Sequence, residues 1–476
     1  MPADAPAYAA RQRPLQVDTE NDYTSDSDRN DEDHIVESQS SRRMTYLLFL
    51  SMGLATLLPW NLFISASEFY RYQFAGSTHQ QTFQNSFSVA YMVTNFISNA
   101  YAMATVTKSD PNKRIYAGLV ANTMVYVVGV LMPFMQDYRG AVSFYIVLMQ
   151  LAVTAVSSGM LTNSLLALVS HFSPSHVEGV FSGQAVGGLL ATTAQLITAY
   201  SVAPPANLVA MPSTNTGTDG SPANGLINRT VVYFAFATTA NVLLTIAFWY
   251  VRRDPYYQQQ SRMAYTPSES LSSSRSDSEL LLPPSVAAAL AMPPSSSVSV
   301  FEAFKFTFKQ ISSYIYVILL DFAMTLAVFP SVTASVTSTS GFKLLTEWHF
   351  FLYNCGDFLG RRFAPSISVT RVSSLMAIAL ARVLLIPAFF ACHVTFSVWY
   401  NWIESDYVFL SLVVVLGLTN GFLSTRSAII APSLSNQPTI AGSIVAISIS
   451  SGLAIGSVLS WPVRAAGCLC SPFEGK

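Results

Sequence analysis

The sequence predicts an all-α polytopic membrane protein with eleven transmembrane helices, and three observations carry that expectation. Of 476 residues, 51% are hydrophobic and 11% charged, whereas soluble domains run near about 25% charged. The charges are also unevenly placed. Ten of the 26 acidic residues fall in the first 40 positions and four more between Asp254 and Glu279, which leaves 12 for the rest of the chain. Finally, the apolar stretches are continuous and reach the roughly 20 residues a helix needs to cross a bilayer. They lack the alternation of barrel strands. A soluble enzyme with a charged surface and a secreted disulfide scaffold are excluded. So is a nucleic-acid binder, since the net charge of −1 offers no polyanion a partner surface.

Residues 1–42 are polar, acidic and without apolar periodicity, and they read as a disordered cytosolic tail. No basic segment followed by a short apolar core opens the chain. The first apolar run is therefore expected to serve as both signal and span. Candidate helices follow at 44–67, 83–107, 114–136, 141–172, 177–203 and 228–252, all within a first block of 43–252. Residues 253–307 are rich in Ser, Pro and Gln and read as a cytosolic loop. Five more candidates stand at 308–333, 343–366, 371–398, 405–433 and 437–463, in a block of 308–465, and 466–476 form a luminal or extracellular tail. The weakest separations are Ser173-Pro174-Ser175 and the stretch from Ser433 to Pro438.

Lys and Arg in the short connections set the orientation. With the N-terminus cytosolic, the inner side carries 14 of them and the outer side 6. An odd helix count then places the sequon Asn228-Arg229-Thr230 at the outer end of the sixth span, where glycosylation of Asn228 and an unused sequon are both open. Cys355 and Cys392 read as small buried hydrophobes, and Cys468 and Cys470 are too close in sequence for an easy mutual disulfide. No metal or cofactor motif is present, and none is expected.

Ionisable groups at membrane depth are the candidates for chemistry, because each costs on the order of 3 kcal/mol at a helix centre unless it finds a partner or a wet cavity. Asp321, Asp357, Arg361, Arg382 and Arg426 qualify. Phe350, Asn354, Asp357 and Arg361 follow one another at spacings of 4, 3 and 4 and share one helical face. An Asp four residues before an Arg can pair and still keep acceptors and donors for a ligand carrying hydroxyls and ring nitrogens. A purely structural ion pair is the other reading. Asp321 has no cation within a turn of its own helix. A hydrogen-bonded structural role and proton coupling through a raised pKa both stand. His171 and His176 flank a turn without an acid or nucleophile beside them and read as solvated loop histidines.

Other motifs punctuate the spans. The first contains Leu57-Leu58-Pro59-Trp60-Asn61, where Pro59 removes a backbone bond, Trp60 offers a flat apolar face and Asn61 a donor and an acceptor. The fifth contains Ser182-Gly183-Gln184, the seventh Thr325 to Pro330, the ninth the run 381–390, and the tenth Leu418-Thr419-Asn420-Gly421. Glycines four apart in the fifth and eleventh spans read as close helix crossings. Taken in order along one chain, these motifs resemble the equilibrative nucleoside transporter family, and the resemblance covers all eleven spans and the central loop.

That resemblance implies a 6+5 arrangement like the major facilitator superfamily, with substrate held between the halves near the bilayer midplane and alternating access around it. It also implies that Asp357 and Arg361 contact the ribose, that Trp60 and Ile64 wall the nucleoside, and that Asn61 and Asn354 line the site. A fourth-span position where the family often places a base-reading glutamine is here Thr162, followed by Asn163. Asn163 either substitutes for that amide or makes an interhelical bond. The expected partners are a nucleoside and the lipid bilayer, with no nucleic acid. Purine and pyrimidine nucleosides would move by facilitated diffusion or with a proton. A permease for another solute such as a sugar, and a membrane receptor or enzyme on the same scaffold, are the competing classes. In the central loop Asp277, Leu281 and Leu282 fit an acidic dileucine signal read by a sorting adaptor. That points to vacuolar or lysosomal membranes, with the plasma membrane as the rival.

Overall fold

Helices account for nearly all of the computed structural model, which describes residues 39–80, 83–135, 138–201, 222–265 and 300–469. The first half holds α1 (Gln39–Ser65), α2 (Ser67–Gln73), α3 (Phe83–Ala104), α4 (Pro111–Leu131), α5 (Ala141–Val169), α6 (Pro174–Ser201), α7 (Pro222–Val251) and α8 (Pro255–Tyr265). The second half holds α9 (Val300–Val328), α10 (Leu345–Phe363), α11 (Val372–Ala381), α12 (Leu385–Phe390), α13 (Asp406–Ser433) and α14 (Pro438–Cys468). Proline opens α4, α6, α7, α8 and α14, where its missing N–H is an orphan in any case. The Asp110 carboxylate caps α4 by accepting from the Asn112 N–H at 2.9 Å.

Among the described residues, nine helical segments are long and apolar enough to cross a membrane. The helices α3 and α10 stand where the second and eighth spans were expected but are too polar to count by that measure. Asn95, Ser98 and Asn99 dilute the first, and Glu347, Asp357, Arg361 and Arg362 the second.

Several boundaries move. The first helix begins at Gln39, inside the expected tail, and α8 folds within the segment read as a loop. There Tyr257 is buried, and its OH donates to Asn112 Oδ1 at 2.7 Å. α9 starts at Val300, ahead of the expected 308. The ninth span ends at Phe390, not 398, and it is broken. Residues Arg382–Leu384 form a 3-10 turn between α11 and α12, and Pro387 removes a backbone donor just beyond. Cys468 is disulfide-bonded, which the sequence did not lead one to expect, and its partner lies outside the described residues.

The helices run alternately up and down between two faces. The near face is the one at which α1 begins, and the far face the one at which it ends. α1 packs most extensively on α6, α10 on α13, and α9 on α14, while α10 against α6 and α14 against α3 and α5 join the halves. Apolar side chains such as Leu47, Ile97, Met124, Met149, Phe236 and Leu243 are exposed around the bundle, a surface that suits lipid and not water.

The apolar core is distributed unequally. One cluster fills the near side and is shared by both halves, with Phe49, Leu161, Phe181 and Val180 meeting Phe422, Ala441 and Ile444 among others. Towards the far face there are two clusters. One is built on the first half around Phe63, Tyr70, Tyr126 and Phe234, and one on the second half around Val332, Leu345, Phe389 and Phe409. The halves are therefore sealed together on the near side and separately cored on the far side.

Candidate functional site

The seal ends at a buried ion pair. Asp357 and Arg361, one turn apart on α10, are 5% and 3% exposed, and Arg361 Nε donates to Asp357 Oδ2 at 2.8 Å. α10 presses so closely on α13 that Gly356, Gly360, Gly417 and Gly421 all meet backbone. A methyl on Gly421 would run into the Asp357 carbonyl oxygen and lie 2.8 Å from the Arg361 nitrogen. These two Gly-x-x-x-Gly pairs are legible in the sequence. They bring helix backbones together as small-residue pairs do in membranes.

Arg361 reaches across the interface between halves. Its Nη1 donates to Gln184 Oε1 at 3.1 Å and to the Phe181 carbonyl at 3.3 Å, both on α6. Gln184 Nε2 in turn donates to Thr56 Oγ1 on α1 at 3.2 Å. In the other direction, Asn420 Nδ2 on α13 donates to Asp357 Oδ1 at 2.7 Å. Thr325 Oγ1 on α9 lies 2.9 Å from Asn420 Oδ1, and Arg382 Nη2 donates to Thr325 Oγ1 at 2.6 Å. Arg382 then contacts Asp321 as an ion pair, and it donates to the Asp321 carbonyl at 3.1 Å. One polar chain thus runs from α1 through α6, α10, α13 and α9 to the 3-10 turn of the ninth span.

No cation lies within a turn of Asp321 on its own helix, and Arg382 reaches it from another span. Its partner comes from 61 residues away in sequence, so a reading limited to one helix could not find it. Both side chains are almost wholly enclosed. The pairing meets the burial cost of the carboxylate that a bound proton would otherwise have to meet.

The other expected site residues are distributed as follows. Trp60 is half-buried one turn beyond Thr56 on α1, with its ring 5.0 Å from that of Tyr91. Asn61 and Ile64 are half-buried just beyond it, and so are Asn354 and Phe350 on α10. Asn354 donates to the Phe350 carbonyl at 2.9 Å, and its side-chain oxygen fills the space over Gly188 of α6. Two stripes therefore rise from the bonded junction towards the far face, one on α1 through Trp60 and Ile64, one on α10 through Asn354 and Phe350. The ion pair itself is covered in this conformation and forms the floor beneath them. Among the described residues Arg361 Nη2 carries no hydrogen bond, and both Asp357 oxygens keep lone pairs, so the floor retains donors and acceptors.

Other positions do not join this group. Asn163 is fully buried and exchanges bonds with Ser443 of α14, Nδ2 to the carbonyl at 3.3 Å and Oδ1 accepting from Oγ at 3.2 Å. The interhelical reading describes the bonds it makes here. Thr162 beside it is half-buried. Asn228 is exposed but lies inside α7 and not at a loop, because the helix starts earlier, at Pro222; Thr230 is 2% exposed. His176 is fully buried, not solvated, and rests on Phe49 and Phe172. His171 bonds Thr439 of α14 at 2.6 Å, and burial holds its pKa below the usual 6.5. Arg426 Nε donates to the Val369 carbonyl at 2.9 Å. Asp277, Leu281 and Leu282 lie outside the described residues.

Comparison with known proteins bears on this arrangement. A family model described as "Nucleoside transporter" matches residues 148–465. The chain is 21% identical to equilibrative nucleotide transporter 8 of Arabidopsis thaliana, over 90% of this chain and 96% of that one. It is 24% identical to human equilibrative nucleoside transporter 2, over 90% and 98%. Among solved structures, the major facilitator superfamily proton:xylose symporter XylE matches with a TM-score of 0.59 at 10% identity, covering 90% of this chain and 89% of that one. The human organic anion transporter MFSD10 matches with a TM-score of 0.50 at 15% identity, covering 90% and 96%. At such identities the solved structures speak to the fold alone, which is that of the major facilitator superfamily.

Proposed function

The chain belongs to the equilibrative nucleoside transporter family, and from that membership we propose that it carries purine and pyrimidine nucleosides across a membrane by alternating access around the Asp357–Arg361 pair. The protein is a transporter and not an enzyme. The observation that carries the site is the position of the ion pair, at the boundary between a near side sealed by both halves and a far side where each half keeps its own core.

A nucleoside is uncharged, with a flat base and a hydroxylated sugar. Arg361 Nη2 and the spare lone pairs of Asp357 suit ribose hydroxyls, as charge-assisted bonds. Trp60 and Ile64 on one side and Phe350 on the other supply apolar walls for the base, and Asn61 and Asn354 supply polar lining. Binding that draws the two stripes together favours closure of the far side. Release follows when Arg361 lets go of Gln184 and Phe181 and the near side parts. No proton is required by this cycle, since Asp321 is paired with Arg382. Facilitated diffusion is the reading we adopt.

The excess of Lys and Arg supports a cytosolic near face. Asp277, Leu281 and Leu282 support delivery to vacuolar or lysosomal membranes. Replacing both leucines by alanine should then shift the protein to the plasma membrane, as seen by imaging.

Uptake of radiolabelled adenosine and uridine into proteoliposomes tests the main reading. Wild type should transport both. Arg361→Ala and Arg361→Lys should each lose transport, the lysine variant while keeping its folded melting profile. Transport retained in both variants would overturn the site.

A further inference from the structure

The near face carries a second polar feature that the transport cycle leaves unused. A cavity of about 450 Å³ opens there, lined by Arg42, Arg43, Leu47, Glu178 and Arg362, with His176 in its wall. Arg42 and Arg43 stand at the start of α1 and Arg362 in the last turn of α10. Cations from both halves thus converge on one space.

The one carboxylate, Glu178, offsets only part of the charge of the three arginines that line the cavity. Glu178 is 3% exposed, and both its oxygens are engaged, with Ser182 Oγ donating to Oε1 at 2.6 Å and Tyr46 OH to Oε2 at 3.3 Å. Arg43 and Arg362 are exposed and form no ion pair among the described residues. His176 is fully buried, with Nδ1 bonded to Ser173 Oγ at 2.7 Å. The first turn of α6 begins at Pro174 beside it, adding orphan N–H groups and the positive end of a helix dipole.

We propose that this cavity binds the phosphate of an anionic lipid headgroup, bridging Arg43 of one half to Arg362 of the other. The lipid source follows from the wall. Leu47 lines the cavity and is 59% exposed, and Phe363, next to Arg362, is 53% exposed. A phosphate seated on the arginines therefore has lipid-facing apolar surface beside it, at the level where helices leave the bilayer. Anionic lipids are concentrated on the cytosolic leaflet, and here the inference rests on the proposed orientation. Because the arginines come from opposite halves, the headgroup fits only while the near face is closed. It favours that conformation by its differential affinity.

The test uses the full-length protein reconstituted in phosphatidylcholine with phosphatidylserine or phosphatidylinositol 4-phosphate, with lipid retained by the purified protein read by native mass spectrometry. Wild type should retain anionic lipid over phosphatidylcholine. Retention should weaken roughly thirty-fold in R43Q/R362Q, from about 1 kcal/mol per basic side chain, and survive in R43K/R362K. Inorganic phosphate in excess should not displace the lipid. Equal retention in wild type and R43Q/R362Q would overturn the proposal. Binding of inorganic phosphate without lipid retention would overturn the lipid source. Retention is read without transport, so a failure here is separate from a failure of the nucleoside reading.

Discussion

Asn420 holds the floor of the site in place, with its amide donating to Asp357 Oδ1 at 2.7 Å while its carbonyl oxygen sits 2.9 Å from the Thr325 hydroxyl. The amide faces two partners on two other helices. Asn420→Ala leaves both partners buried and short of a bond, and should cost about 1–3 kcal/mol. We expect a lower melting temperature in detergent and a raised KM for nucleoside. Pairing it with Thr325→Val should lose less than the sum of the two single losses, as a shared network requires.

The Arg382–Asp321 contact is enclosed, so removing one partner strands the other. Arg382→Gln and Asp321→Asn should each destabilise by about 3–5 kcal/mol. The double variant, neutral on both sides, should recover most of that loss. Thermal unfolding of the four proteins reads this directly. Wild-type uptake measured across pH should show no dependence that Asp321→Asn removes.

Gly421 has no room for a side chain, because the obstructing atoms are α10 backbone beneath the ion pair. Gly421→Ala should abolish uptake and lower stability by about 1–3 kcal/mol. Gly187→Ala, where the nearest atom would be 3.5 Å away, should leave both nearly unchanged. Equal effects at the two sites would contradict the close crossing.

His171 lies between spans and bonds Thr439 across the near-side interface. Burial lowers its pKa from 6.5, so the folded state prefers the neutral ring and the unfolded chain binds more protons below that value. Stability contributed here is complete above 6.5 and is lost as pH falls below it. Melting temperature should decline from about pH 7 towards about pH 5, and the decline should be shallower in His171→Gln.

At the far face, Trp348 Nε1 of α10 donates to Tyr200 OH of α6 at 3.1 Å, one direct bond where the halves lack a common core. Cysteines placed at both positions and joined by a short cross-linker should stop transport, and reductive release should restore it. Full transport with the link intact would exclude far-side opening between these helices.

What the sequence disclosed follows from where the constraints lie. The α10 face was legible because Asp357 and Arg361 are four residues apart and too costly to bury unpaired, and periodicity alone aligns them with Asn354 and Phe350. Trp60 and Asn61 were marked by the proline that loosens α1. Contacts between distant segments were not legible. Nothing near Asp321 in sequence points to Arg382, and nothing near Asn163 points to Ser443. His176 looked solvated beside Ser173 and Pro174, yet aromatic rings from α1, from Phe172 in the α5–α6 connection and from Tyr256 on α8 close over it. The broken ninth span was hidden because Pro387 sits in a run, 375–390, that is apolar apart from Arg382, and hydropathy does not register a missing donor.

The lopsided core has a kinetic consequence. With no cargo aboard, the posture sealed at the near face is the one expected to dominate, since the opposite posture would part the hydrophobic mass shared by both bundles. Resetting the unloaded carrier is then the slow leg of each round trip. Vesicles preloaded with unlabelled nucleoside should therefore take up tracer faster than empty ones.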